Sequence, residues 1–440
     1  MNQLTVWLNI LHRRTVVLLL FLGPLLTYSQ ALSLDSAISL SRENYPQVKQ
    51  KELIRQAAGL NIENIRKGLL PQLSFSGQAS YQSEVTAINV AIPGFTIPSP
   101  DKDQYRMTAD ITQLLYDGGI TRQQQKIQQL GAAVEDQQIE VELHQLKDKV
   151  VQLFLGILFI DEQMKQALLV KNDILTGLSR LEAQVQNGVA LRSARTTVLA
   201  ESIKADQRLI ELKAARKGFL DMLGLFVART FDENAILIKP SDPVNHTSGN
   251  LTDVQNNNQH PIERPELTLF QRQSVLLDQQ YKVIRARNLP KTSLFVQTGY
   301  GRPGLNLLKN EFDFFYIGGL RLNWALGGLY TNKKDRQLVQ ISEQKVDLQK
   351  QTFLLTISGQ LKQQQAEIDK LQQLAESDSL IIELRTSVKE AAKAQLENAV
   401  INANDYLREV NAEDQARQAM ILHRLQLLQA KINYQTITGK

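Results

Sequence analysis

Apolar and polar residues alternate along two pairs of short segments, one pair in each half of the chain. A period of two residues is typical of β-strands with two different faces. In the first half the apolar positions are Leu73, Phe75, Gly77, Ala79 and Tyr81, followed by Tyr105, Met107, Ala109 and Ile111. In the second half they are Leu294, Val296, Tyr300, Phe312, Phe314, Tyr316, Leu320, Leu322 and Trp324. We therefore predict two β-hairpins, at about 72–116 and about 292–326.

The alternation has two interpretations. Strands of about 10 residues can cross a hydrocarbon core when tilted, and outer-membrane barrels carry aromatic residues near the strand ends. Tyr81, Tyr105 and Trp324 occupy such positions. A soluble half-buried sheet produces the same alternation. The strands alone therefore do not establish a membrane barrel, and the length of the adjoining helices decides in its favour.

Two longer segments show a helical period instead. No proline interrupts residues 119–187 or 328–398, and at ~1.5 Å per residue each segment could form a helix of about 100 Å. In the first segment apolar residues recur at alternating spacings of four and three residues. This average of 3.5 residues per turn predicts a left-handed coiled coil. These seam residues are Ile139, Leu143, Leu146, Val150, Leu153, Ile157, Ile160, Met164, Ala167, Ile174, Leu178, Leu181 and Val185. Each long helix is expected to turn, near 188 and near 399, and to return as another helix.

The two halves share one plan. Pro46 and Pro71 are separated by the same distance along the chain as Pro265 and Pro290. This internal duplication predicts two structural repeats, 32–240 and 263–440, joined by a linker at 241–262. Each repeat comprises a helix (roughly 33–68 and 263–288), a hairpin, a long helix and a returning helix.

The N-terminal residues 1–31 have the features of a signal peptide. Arg13 and Arg14 precede a short apolar run, and Ser29-Gln30-Ala31 provides a small-x-small cleavage site. No later segment contains the eighteen consecutive apolar residues of a spanning helix. The mature protein is therefore expected to leave the cytoplasm without a helical anchor.

The composition and motifs argue against most kinds of ligand-binding and catalytic site. The formal net charge is +5 and there is no cysteine, so neither a nucleic-acid partner nor a disulfide or thiolate site is predicted. The glycine-rich segment 299–304 follows an alternating strand rather than opening a helix, so it is read as a hairpin loop rather than a dinucleotide site. The five histidines are scattered. We predict no cofactor, no metal site and no enzymatic activity.

Four strands cannot form a closed barrel, and an open sheet edge in lipid leaves backbone groups unsatisfied at several kcal/mol each. Closure therefore requires more than one chain. Three chains would supply twelve strands, and their helical hairpins could close into a second tube. This requirement predicts a homo-oligomer in contact with membrane lipid.

Several short motifs resemble the TolC family of outer-membrane efflux proteins, and their order covers essentially the whole mature chain. These motifs are Leu34–Ile38, Leu70–Leu73, Tyr116–Gly119, Arg264–Leu267 and the two turns Asn187–Val189 and Asn398–Val400. The resemblance implies an all-α dominated fold with membrane β-strands. It also implies a trimer with a 12-stranded β-barrel, four strands per chain, in the cell outer membrane and a long α-helical coiled-coil tunnel across the periplasm.

The resemblance also implies partners and site residues. The turns, with Gly188, Val189, Ala399 and Val400, correspond to tips that meet a periplasmic adaptor (a membrane fusion protein) linked to an inner-membrane transporter. Asp405 matches a position at the constricted periplasmic aperture. Ala399 replaces the usual glycine, and Arg408 replaces a second acid of the best-known members, so the bonding at the aperture does not carry over.

Two function classes share this architecture. The first is the passive outer-membrane duct of a tripartite efflux system for small molecules, and the alternative is the duct of a type I protein-secretion system. A trimeric coiled coil without a pore is disfavoured by the four strands. Simpler roles also remain for single residues, since Gly188 could serve only the turn and Asp405 could cap or solvate its helix.

Overall fold

The computed structural model describes residues 31–86, 99–241, 262–307, 309–398 and 400–439. The elements are, in chain order, α1 (Leu34–Asn44), α2 (Pro46–Lys67), β1 (Gln72–Tyr81), β2 (Asp103–Tyr116), α3 (Ile120–Gln186), α4 (Arg192–Val227), α5 (Pro265–Arg287), β3 (Lys291–Arg302), β4 (Asp313–Asn323), α6 (Gly328–Glu397) and α7 (Ala403–Thr438). The predicted signal peptide up to residue 30 and the linker between 241 and 262 lie outside the described residues. Within the described ranges, no helix combines the length and the apolar character needed to cross a membrane.

The chain folds into two compact units, each built from three stretches that are distant in sequence. Unit 1 comprises Met1–Asn44, Lys149–Ser248 and Lys370–Gln429. Unit 2 comprises Tyr45–Asp148, Gly249–Asp369 and Ala430–Lys440. Each unit therefore draws on both of the predicted sequence repeats.

Unit 2 contains a four-stranded antiparallel sheet in the order β1-β2-β3-β4. The register places Phe75 opposite Ala109, Ala109 opposite Thr298, and Thr298 opposite Tyr316. Because side chains alternate along a strand, this register gathers the apolar set on one face. Phe75 and Tyr316 are 77% and 80% exposed on that face. An apolar surface of this extent indicates contact with lipid or with another protein.

The opposite face of the sheet is mainly polar. Ser76 and Thr108 share a hydrogen bond of 2.7 Å, Thr108 donates to Asp110 at 3.1 Å, and Gln297 donates to the same carboxylate at 2.5 Å. Three apolar side chains, Phe295, Phe315 and Ile317, interrupt this polar surface. Phe315 is buried because it lies against Gly299, whereas Ile317 is 39% exposed.

The first helix departs from its predicted form. A single helix at roughly 33–68 was expected, but the structure has α1 and α2 separated at Tyr45, whose φ and ψ are −66° and 125°. The ring of Pro46 crowds the preceding residue and disfavours the helical conformation there, while proline is well tolerated in the first turn of a new helix. Pro46 thus ends one helix and begins the next.

The apolar seam of α3 is buried, with the exceptions of Met164 and Val185. In unit 1, the seam residues Val150 and Ile157 are fully buried, and so is Phe154 of the same helix. Leu220 and Leu223 of α4 are fully buried as well. Burying one such side chain contributes about 1.5–3 kcal/mol. The seam therefore supplies much of the apolar core of unit 1.

The corner between β2 and α3 is fixed by Asp117. Its two carboxylate oxygens accept hydrogen bonds from the backbone N–H groups of Gly119 at 2.7 Å and Thr121 at 2.8 Å. Burial raises the pKa of Asp117, but the bonds from Thr121 and Gly119 outweigh it and hold the pKa below its ordinary value. Gly118 lies between them at φ +74°, and a Cβ there would come within 2.8 Å of the Ala286 carbonyl oxygen.

Replacing Asp117 with alanine should lower the free energy of unfolding by about 1–2 kcal/mol, since two donors at the start of α3 lose their acceptor. Asp117→Asn retains one acceptor oxygen and should lose less. Because the folded pKa is depressed, the wild-type advantage should be complete above the ordinary aspartate range and disappear as pH falls through the folded value. Urea unfolding across a pH series measures this, and equal stability of all three proteins at neutral pH would contradict it.

Candidate functional site

The first predicted tip is a tight turn between α3 and α4. Gly188 adopts φ +77°, and its N–H donates to the Val185 carbonyl at 3.1 Å, while the N–H of Val189 donates to Gln184 at 2.9 Å. A left-handed residue is the usual way to end a helix while satisfying its last carbonyls. The turn leaves Val189 and Leu191 exposed, at 64% and 74% of their surface.

The second predicted tip joins α6 to α7. The N–H of Val400 donates to the Gln395 carbonyl at 2.8 Å, and Val400 is 71% exposed. The side-chain oxygen of Asn402 accepts the backbone N–H of Asp405 at 3.0 Å, which caps the start of α7. Ala399 lies outside the described residues.

The residues next to both turns pack on one hydrophobic cluster in unit 1. Its buried members are Val170, Ile174, Leu178, Leu181, Val198, Ala205, Ala392, Leu396, Ala403, Tyr406, Leu407 and Val410. Arg180 forms an ion pair with Glu397, and the side chain of Gln184 donates to the Leu396 carbonyl at 3.2 Å. The exposed Val189 and Val400 are therefore presented by a single packed base.

The predicted aperture residues form an ion pair. The guanidinium of Arg408 lies 3.8 Å from the carboxylate of Asp405, one turn away on α7, and 3.2 Å from that of Glu409. Arg385 of α6 contacts the other oxygen of Glu409 at 3.8 Å. The side chains of Asp405 and Arg408 remain 39% and 72% exposed. Two acids and one base of α7, together with Arg385 of α6, thus form a chain of alternating charges near the start of α7.

A buried polar network that sequence reasoning missed joins three helices of unit 1. Lys389 of α6 contacts Asp173 of α3 at 3.0 Å and Glu413 of α7 at 2.7 Å. Glu413 also accepts from Arg417 at 2.6 Å and from the hydroxyl of Thr386 at 2.8 Å. The side chains of Lys389 and Glu413 are only 11% and 5% exposed. Charges this deeply buried are tolerated only when they are paired and hydrogen-bonded.

The pairing changes both pKa values. Burial lowers the pKa of Lys389, but the hydrogen bonds to Glu413 and Asp173 outweigh it and raise that pKa above its ordinary value. Burial raises the pKa of Glu413, but the bonds from Lys389, Arg417 and Thr386 outweigh it and lower that pKa. Both groups are therefore charged throughout the neutral range.

Similar polar contacts recur along α3, α4, α6 and α7. Asp414 accepts from Gln166 at 3.1 Å and from Arg208 at 3.0 Å. His423 contacts Asp378 at 2.7 Å. The part of the chain that the structure describes contains no cluster of histidine and acidic residues suited to a metal ion.

Residues 37–218 match the family model described as outer membrane efflux protein. The fold is similar to three solved outer membrane proteins: CmeC of Campylobacter jejuni (14% identity, 92% of this chain and 85% of that chain covered, TM-score 0.62), VceC of Vibrio cholerae (12%, 92% and 96%, 0.58) and MtrE of Neisseria gonorrhoeae (15%, 92% and 88%, 0.61). No curated protein matches the sequence. The predicted fold class, mostly helical with four β-strands, is confirmed over the residues that the structure describes.

Substituting Lys389 by glutamine should destabilise unit 1 by about 1–3 kcal/mol, because Asp173 loses a cationic partner and Glu413 loses one of its two. Lys393→Gln is the matched control, since Lys393 forms a more exposed pair with Glu390 at 3.8 Å, and its loss should cost less than about 0.5 kcal/mol. Thermal unfolding followed by circular dichroism measures both.

The pH dependence gives a second readout. The stabilisation from Glu413 is present above the ordinary glutamate pKa and is lost as pH falls through its lowered folded value. The stabilisation from Lys389 is lost only as pH rises above the ordinary lysine value. The difference between wild type and Lys389→Gln should therefore shrink in acid, and a constant difference down to about pH 3 would contradict the assignment.

Proposed function

We propose that the chain, whose residues 37–218 match the outer membrane efflux protein model, is an outer-membrane channel and forms the passive exit duct for small molecules in a tripartite efflux system. A channel catalyses no reaction, in agreement with the prediction that the chain is not an enzyme. The cell outer membrane is its location, and the helical part extends into the periplasm.

The observation that carries the proposal is the open four-stranded sheet. The strand order β1-β2-β3-β4 leaves the outer edges of β1 and β4 without a strand partner within the described part of one chain. The apolar face is suited to lipid, and lipid offers no hydrogen bonds to an open edge. Three copies, each contributing four strands, would pair every edge in a barrel of twelve strands. The polar face, with Ser76, Thr108 and Asp110, would then line the lumen.

The tips support the second part of the proposal. Val189, Leu191 and Val400 are apolar, exposed and held on the packed base described above. Exposed apolar side chains on a rigid base are typical of protein docking surfaces. In the proposed system Gly188, Val189, Ala399 and Val400 contact a periplasmic adaptor, which links the duct to an inner-membrane transporter.

The proposal is tested by the state and conductance of the purified protein. Protein extracted from membranes should have the mass of three chains and should open pores in planar lipid bilayers. Ala109→Arg places a charge on the proposed lipid face, where it costs about 2–4 kcal/mol near the bilayer midplane, and should block assembly. Ser76→Arg on the opposite face should assemble. A stable folded monomer would overturn the trimer, and the reverse behaviour of the two variants would reverse the two faces.

Bulky substitutions at the tips should separate docking from assembly. Gly188→Val should strain the turn by about 1–2 kcal/mol because its φ is positive, and Val189→Arg or Val400→Arg should disrupt an apolar contact without straining the backbone. All three should reach the outer membrane as trimers, while export of a fluorescent efflux substrate and cross-linking to the adaptor should fall. Leu225→Arg, at an equally exposed leucine of α4, is the control. Export and cross-linking at wild-type levels in the two arginine variants would leave Gly188 with a role in the turn alone.

Charge at the aperture should affect ion selectivity. Three copies of Asp405 around one axis would favour cations and resist anions, because a narrow constriction focuses their field. Asp405→Ala should therefore reduce the cation preference measured as a reversal potential across planar bilayers. Arg408→Ala removes the cation shared by Asp405 and Glu409 and should increase both cation preference and resting conductance. If neither variant changes selectivity or conductance, these residues lie away from the pore axis.

A further inference from the structure

Unit 1 contains a cavity of about 860 Å³ that none of the proposed transport steps uses. Its wall is formed by α3, α4, α7 and the segment that follows α4. Leu158, Leu220, Leu237 and Leu428 form an apolar floor and are each less than 10% exposed. A concave space of this size with an apolar floor is typical of small-molecule sites, which span about 300–1,000 Å³.

The segment after α4 that forms part of the cavity wall is held in place by two independent sets of hydrogen bonds. Arg216 donates to the carboxylate of Asp161 at 2.6 Å and to the carbonyl of Ala235 at 2.7 Å, and it also contacts the carbonyl of Glu233. Leu32 adds a short parallel bridge: its N–H donates to Ile236 at 3.0 Å and its carbonyl accepts from Ile238 at 2.9 Å. The cavity is therefore preformed.

The charges around the cavity are unbalanced. Six cationic and three anionic side chains line it. Each of the three acids already has a cationic neighbour: Asp161 has Arg216, Glu162 has Lys165, and Glu233 has Lys217.

The remaining cations are Lys213, Lys239 and Arg424. Within the described residues none of the three has a carboxylate partner. They are exposed and lie on α4, on the segment after it and on α7. An apolar solute on the leucine floor would leave these three cations unpaired, and a cationic solute would be repelled by them.

We propose that this cavity binds a small amphipathic anion, with its apolar body on the leucine floor and its acidic headgroup among Lys213, Lys239 and Arg424. Burial of the body supplies affinity in proportion to the apolar area removed from water. The three cations supply the preference for negative charge. The inference does not depend on the transport role, because every residue that carries it lies within unit 1 of a single chain.

Two fluorescent probes that differ only in the headgroup test the proposal. One is 8-anilinonaphthalene-1-sulfonate and the other is its uncharged parent, N-phenyl-1-naphthylamine. Each is titrated into the full-length protein in lipid nanodiscs, with empty nanodiscs subtracted. The sulfonate should bind saturably, one per chain, and about tenfold more tightly than the neutral parent, as expected for several partly exposed ion pairs.

Two variants locate the site. The triple substitution Lys213→Gln, Lys239→Gln and Arg424→Gln should weaken sulfonate binding about tenfold and leave the neutral probe unchanged. The control removes three exposed cations of α6, as Lys333→Gln, Lys350→Gln and Lys362→Gln, and should have little effect. Ala214→Trp fills the cavity from an exposed position in its wall and should weaken both probes.

Equal affinity for the two probes would overturn the proposal, as would equal effects of the two triple variants. The absence of a saturable component would also overturn it. Pore conductance measured on the same preparations keeps this outcome separate from failure of the proposed transport role.

Discussion

Pairing of strand backbones is the constraint on which the remaining architecture depends. The described part of each chain has four strands, of which β1 and β4 have free outer edges. In water such edges could be solvated, but the apolar face of the same sheet indicates lipid, where an unpaired N–H or carbonyl costs several kcal/mol. Closure by neighbouring copies would resolve both requirements at once. In the proposed barrel it would also place the polar hydrogen-bond network of Ser76, Thr108 and Asp110 in a water-filled lumen, where such groups are stable.

Periodicity predicted the elements that have one apolar and one polar side. The alternation from Leu73 to Tyr81 coincides with β1, and the seam of α3 is buried almost throughout. Local stereochemistry could have predicted more than it did, because Pro46 marks the break between α1 and α2. The roles of Gly188 and Asp405 stay predictions, since a turn and a helix start have the same geometry whether or not a partner binds them.

The periodicity of the sequence could not predict the buried polar pairs, and the reason lies in α6. In α6 the buried residues Leu371 and Asp378 are seven apart, as are Ile382, Lys389 and Leu396. Polar residues therefore occupy seam positions of α6, which makes its sequence look irregular. A single sequence identifies neither Asp173 nor Glu413 as the partner of Lys389, because the match is made across helices. Such pairs contribute little net stability compared with apolar residues, but a mismatched register would leave them unpaired. They favour one alignment of the helices.

The start of α7 shows how a structural role and an electrostatic role can be divided between neighbours. Capping by Asp405 was the simpler interpretation of this residue, yet Asn402 accepts the N–H at the helix start. The carboxylate of Asp405 is thus available to Arg408, and that contact, at 3.8 Å, is longer than the 3.2 Å contact between Arg408 and Glu409. Glu409 lies between two arginines and is largely buried, whereas Asp405 is 39% exposed. Of the two acids, Asp405 is therefore the one whose negative charge is less compensated, and at the proposed aperture its field would act on passing ions.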